Sequence, residues 1–166
     1  FFKLYYENGN LDEIVHITPK NINIKCLIDY NERGISQHSF EISFNGEKRI
    51  MLDCGFNFRE LKKNSFIPAP EINIIKNHIH KNPPNWVIIT HNHKDHDIGL
   101  FYLLKNQALY SKIDAFICTK SVAMVIIRNM LKTNNQKRMF LSKLYLVRYG
   151  DTLQISRNAK LIFYPS

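Results

Sequence analysis

Residues 86–100 read Trp86-Val-Ile-Ile-Thr-His-Asn-His-Lys-Asp-His-Asp-Ile-Gly-Leu100, and this stretch decides the fold. Trp86 to Ile89 is short and continuously apolar, the pattern of a strand buried on both faces. Directly after it, His91, His93, Asp95 and His96 fall within six positions. Imidazole and carboxylate donors this dense point to a metal site, and the mixture suits zinc, manganese or iron better than magnesium or calcium. A strand presents alternate residues on one side, so His91 and His93 can converge on one ion. Asp95 and His96 lie where the chain turns into the next helix and can hold a second ion beside the first. Two ions about 3.5–4 Å apart can share a bridging hydroxide and clamp the attacking and leaving oxygens of a displacement. Bound zinc brings the pKa of water to about 7, so the nucleophile exists at neutral pH. Asp95 is also the candidate catalytic residue.

The neighbours of the cluster carry blander readings. Asp97 is expected to cap a helix starting near Ile98. Lys94 is expected to face solvent, and Gly99 to let that helix pack closely. His78 and His80 form a second His-x-His, but prolines rather than an Asp-His follow, and metal binding is not expected there. His16 and His38 stand isolated in the sequence. There is no Ser-His-Asp arrangement, and the six glycines are too scattered for a phosphate loop or a dinucleotide fingerprint.

Working outward, Asn21 to Tyr30 contains an alternating apolar stretch. His38 to Phe44 places Phe40, Ile42 and Phe44 on one face. Asn45-Gly46 is a strong hairpin signal, and Lys48 to Leu52 is the return strand, running into Asp53-Cys-Gly55. Residues 56–85 read as irregular, broken by Pro68, Pro70, Pro83 and Pro84. Ile98, Leu100, Phe101, Leu103 and Leu104 recur at helical spacing. Ile113 to Cys118 reads as a buried strand, and Thr119 to Lys132 as a helix with Thr119 or Ser121 available as its cap. Leu144–Val147, Thr152–Ile155 and Lys160–Tyr164 read as closing strands. The order predicts an α/β fold, a sheet with helices packed outside it.

At 166 residues the chain is about one domain long, and its formal charge of +9 fits an anionic partner such as nucleic acid. The same excess of lysine also accompanies a composition rich in Lys, Asn and Ile. Three widely spaced cysteines without a CxxC pair imply no disulfide framework and a reducing compartment. No secretory signal and no apolar run of about 18 residues is visible, so a cytoplasmic protein without a membrane span is expected. Oligomeric state is not readable. The chain starts at Phe1 rather than Met, which suggests a fragment or a processed form.

The motif His91-Asn-His93-Lys-Asp95-His96 after a buried strand resembles the signature of the metallo-β-lactamase fold hydrolases. Met51-Leu-Asp53-Cys-Gly55 resembles their upstream Asp at a strand end. The resemblance runs over roughly residues 36–166; the first 35 carry little signal. It implies a single domain with an αββα sandwich and two divalent metals at one edge of the sheets, zinc in the first place and manganese or iron otherwise. It implies that His91 and His93 bind the first metal, that Asp95 and His96 bind the second, and that Asp53 supports the site from beneath rather than ligating. Ser39 to Gly46, Tyr149-Gly-Asp-Thr-Leu-Gln-Ile155 and Leu161-Ile-Phe-Tyr-Pro165 look like the nuclease branches, the tRNA 3′-processing enzymes and the RNA- or DNA-cleaving group with a cap domain.

The expected activity is therefore a metal-dependent phosphodiesterase acting on RNA or DNA through a metal-bridged hydroxide. A thioester or lactone hydrolase of the same fold is the alternative, and an incomplete, non-catalytic copy that binds a partner is another. The chain departs from the family pattern at its end. A third His is expected just after the Lys160–Tyr164 strand, with a bridging Asp and a last His later, and the sequence stops at Ser166. The second half of the sandwich is accordingly expected to lie largely outside this chain, either in a continuation or in a partner.

Overall fold

The computed structural model describes residues 2–6, 22–32, 35–44, 48–55, 69–156 and 159–163. Nine strands and six α-helices lie along them. The strands are β1 (Phe2–Tyr6), β2 (Ile22–Glu32), β3 (Ile35–Phe44), β4 (Lys48–Leu52), β5 (Trp86–Ile88), β6 (Ala115–Thr119), β7 (Leu144–Val147), β8 (Thr152–Ser156) and β9 (Ala159–Phe163). The helices are α1 (Ala69–Lys81), α2 (Lys94–Asp97), α3 (Leu100–Lys105), α4 (Gln107–Lys112), α5 (Lys120–Val125) and α6 (Asn134–Ser142), with a π-helical turn at Ile126–Met130.

The main sheet runs β2-β3-β4-β5-β6-β7. Its first three strands are antiparallel and its last four parallel, each parallel step crossing over through helix. The hairpin expected around Asn45-Gly46 is present in its strands, since Phe44 faces Lys48 and Phe40 faces Leu52. The turn residues themselves lie outside the described residues.

Strand alternation divides this sheet into two faces. Met51, Val87, Ile89, Phe116 and Cys118 point one way and pack with Ile75, Ile79, Leu103, Leu109, Val122, Ile126 and Phe140 from the helices. The rings of Phe116 and Phe140 meet at 5.4 Å. Ile42, Phe44, Ile50, Ile88, Ile117 and Val147 point the other way, onto Ile155, Ala159 and Leu161 of a second, three-stranded sheet, β1-β9-β8. Full burial of one such aliphatic or aromatic side chain contributes about 1.5–3 kcal/mol. The result is one helical layer and two sheets. Every helical residue of the two cores belongs to the first, so among the described residues no buried helical side chain joins the core between the sheets. The mixed α/β architecture expected from the sequence is the one observed.

Two expectations need correction. Residues 56–85 are not irregular throughout, because α1 occupies Ala69–Lys81. Pro70 sits in its first turn, where a missing N–H costs nothing. Pro83 and Pro84 follow its end, and Ile75 and Ile79, one turn apart, are its buried stripe. The helix expected from the spacing of Ile98 to Leu104 is present as α3, and α4 follows it. Asn106 separates the two and caps α4 by accepting from the Leu109 N–H at 3.2 Å. Finally, Thr119 does cap α5, but the helix passes into the π-helical turn at Ile126. No helix among the described residues is long and apolar enough to cross a membrane.

Candidate metal centre

The carboxyl ends of the parallel strands β4 and β5 lie side by side, which is where open α/β sheets bind their ligands. Asp53 follows β4 and Thr90-His91 follows β5. The Asp53 N–H extends the sheet ladder to the Ile88 carbonyl at 2.8 Å. The backbone at Asp53 then turns left-handed, with φ 54°. Asp is one of the few residue types that adopts this conformation readily. The turn is clamped from three sides. Ser39 Oγ, fully buried on β3, donates to the Asp53 carbonyl at 2.9 Å. The Gly55 N–H donates to the His38 carbonyl at 2.9 Å, and the Cys54 N–H donates to the His96 carbonyl at 2.7 Å. The Gly99 N–H returns to the Cys54 carbonyl at 2.6 Å, so Gly99 brings the chain between α2 and α3 against the Asp53 turn.

Asp53 is 4% exposed, and its carboxylate is the hub of the site. Its Oδ1 accepts from the Thr90 N–H at 2.8 Å, and its Oδ2 accepts from Thr90 Oγ1 at 2.8 Å. Its Oδ2 also accepts from His96 Nδ1 at 2.7 Å. Thr90 Oγ1 lies 2.9 Å from His91 Nδ1. Since the single Thr90 hydroxyl proton goes to the carboxylate, the Thr90 oxygen accepts from His91 Nδ1–H. One buried carboxylate thus places the proton of both imidazoles on Nδ1, directly for His96 and through Thr90 for His91. Both rings then present Nε2 as their coordinating nitrogen.

The side chains of Asp53, His91 and His96 bring one ligand atom each within 4.8 Å of one another, a group that could hold a metal ion. The rings of His91 and His96 are 3.7 Å apart, and those of His91 and His93 are 4.8 Å apart and edge to face. His93 is exposed and lies outside the tight group. Asp95 belongs to α2, and its side chain is outside the described residues. The donor set of imidazoles over a carboxylate fits a divalent transition metal.

Other sequence readings resolve differently. Asp97 is the last residue of α2 and not the cap residue of the following helix. It is 6% exposed, and the cap position of α3 is Gly99, without a side-chain cap bond. Lys94 is exposed. His78 Nε2 pairs with Glu41 Oε2 at 2.9 Å, and His80 Nε2 meets Tyr102 Oη at 2.7 Å, so the two share no common centre. His16 lies outside the described residues. Two residues that carried no functional reading are at the site. Thr90 relays between Asp53 and His91, a role its position beside His91 could have signalled. His38 places its ring 4.9 Å from that of His96. It is 58 positions away in sequence, and only the pairing of β3 with β4 brings it there.

Cys54, next to the hub, is completely buried. Burial pushes its thiol well up, and the negative charges of Asp53 and Asp97 push it further. Burial pushes Cys118 up to about 12. The thiolate is the reactive form, so both thiols should be inert in the folded chain. A disulfide exchange reagent at pH 8 should modify only exposed Cys26 in native protein and all three cysteines after unfolding. Rapid modification of a second thiol in native protein would contradict this burial. The same shifts set a pH trend. A raised thiol pKa favours folding fully below the ordinary value near 9, and that contribution is lost as pH climbs towards 12.

No curated protein matches the chain in a search for relatives. The family model described as the metallo-beta-lactamase superfamily matches residues 33–109, so the chain is similar to that superfamily over the segment that carries β3, β4, Asp53 and the whole run from His91 to His96.

Proposed function

We propose that the chain carries the metal centre of a two-metal hydrolase and that its substrate is a phosphodiester of RNA or DNA. The observation that carries the metal reading is the hub at Asp53, which sets the same tautomer on two neighbouring imidazoles and spends its own oxygens doing so. In this reading Asp53 is a supporting residue. His91 and His93 hold one ion, and Asp95 and His96 hold the other. Zinc is the preferred metal, with manganese or iron as substitutes. The bound ions would supply a water of lowered pKa and neutralise charge gathering on phosphorus. The chain's part is to fix the imidazoles, through Thr90 and Asp53, before substrate arrives.

The substrate class rests on the charge of +9. A backbone held by lysines and arginines binds with counterion release, so affinity falls steeply with salt. With the zinc- or manganese-loaded protein, a labelled single-stranded oligonucleotide should bind at low salt and lose affinity by about tenfold or more between 50 and 200 mM, in proportion to the phosphates contacted. Absence of binding at low salt, together with hydrolysis of a thioester or lactone, would transfer the site to small esters. Hydrolysis of neither class, with no metal retained, would mark a binding or regulatory copy.

A further inference from the structure

We propose that His38 is a metal ligand, holding one divalent transition-metal ion jointly with His96; the inference rests on the metal centre proposed above. His38 extends the row Phe40, Ile42, Phe44, the face of β3 turned toward the core between the two sheets. It stands at the end of that row nearest the Asp53 turn. Its backbone is locked into the turn by the Gly55 N–H at 2.9 Å, and the adjacent Ser39 anchors the Asp53 carbonyl on the opposite face of the strand. His38 therefore occupies a fixed position relative to the residue that orients His96.

The ring spacing suits coordination. Two imidazoles sharing one tetrahedral ion through metal–nitrogen bonds of about 2.0–2.1 Å keep their ring centres about 5 Å apart. The His91 and His93 rings are 4.8 Å apart, and the His38 and His96 rings are 4.9 Å apart. The His91 and His96 rings are closer, 3.7 Å apart, and each offers a ligand atom to the group that Asp53 completes. His38 thus stands to His96 at the ring spacing that His93 keeps from His91. His38 supplies from β3 a neutral donor for the ion that His96 and Asp95 share.

The test uses the full chain and cobalt(II), whose absorption reports its ligands. His38→Ala and His38→Phe should each weaken binding of one ion by at least about tenfold, the lower end of losses caused by disturbing a metal site. His38→Cys should restore binding and add a thiolate-to-cobalt charge-transfer band absent from the wild type. Phenylalanine keeps a ring against His96 but has no donor. Wild-type affinity in His38→Phe would therefore reduce His38 to a packing role and overturn the proposal. Restored binding in His38→Cys without the new band would overturn it as well. A wild-type chain that retains no cobalt after dialysis would overturn the metal centre itself, and this inference with it.

Discussion

Replacing Asp95 with alanine is expected to reduce oligonucleotide hydrolysis by about 10²–10⁴-fold, the range associated with a group acting directly on the reacting atoms. The bound metal should fall from about two ions per chain to about one. Asp95 lies inside the short helix α2, between Lys94 and His96. Alanine is a better helix former than aspartate, so the change gives α2 no reason to unravel. Loss of activity with an unchanged unfolding midpoint would therefore report chemistry rather than folding. Metal content by elemental analysis and cleavage rate belong on the same samples, because activity lost with both ions retained would make Asp95 an acid or base rather than a ligand. Cleavage that persists at the wild-type rate would remove Asp95 from the site and the two-metal assignment with it.

The degree to which this site could be read in advance follows from how local each part is. The run from His91 to His96 is short, sits at the end of an apolar strand and needs no distant partner to be noticed. Asp53 was legible through the resemblance of Met51-Leu-Asp53-Cys-Gly55 to the upstream Asp of the metallo-β-lactamase fold hydrolases. Their convergence is a tertiary fact that only the parallel pairing of β4 with β5 produces. His38 shows the other side. Alone in sequence it has no metal-binding spacing, and it reaches His96 because β3 returns antiparallel beside β4. Prolines misled in a different manner. Pro70, Pro83 and Pro84 were read as breakers of a loop, yet one opens α1 and two follow its end. The helix they bracket shows its buried face mainly through Ile75 and Ile79, too few positions to outweigh the punctuation. Asp97 failed as a helix cap for the opposite reason. Its sequence position suits a cap, but the backbone contact of Gly99 with Cys54 moves the helix start beyond it and buries the carboxylate.

The second large effect is expected at Asp53, where two substitutions should separate folding from metal binding. Asp53→Ala removes the acceptor for the Thr90 N–H, the Thr90 hydroxyl and His96 Nδ1. A buried donor left unpaired costs about 1–3 kcal/mol. Alanine also lacks the short polar side chain whose local hydrogen bonds let aspartate hold φ 54°. A loss of at least about 1–3 kcal/mol is a sizeable part of the 5–15 kcal/mol that stabilises an ordinary domain, and it should appear as a marked fall in the denaturation midpoint. Asp53→Asn keeps both the turn and the acceptor for the Thr90 N–H, so the fold should lose far less. The oxygen facing His96 becomes an NH₂ group, however, and a donor cannot face Nδ1–H. His96 must then carry its proton on Nε2, the nitrogen needed for coordination, and Thr90 can no longer hold His91 in the same way. Metal affinity should drop by about 10–100-fold, the usual result of losing such an orienting partner. Nitrogen-15 shifts of His96 should show the proton moved from Nδ1 to Nε2. An Asp53→Asn protein that binds metal as tightly as the wild type, with His96 still protonated on Nδ1, would show that the carboxylate only braces the turn.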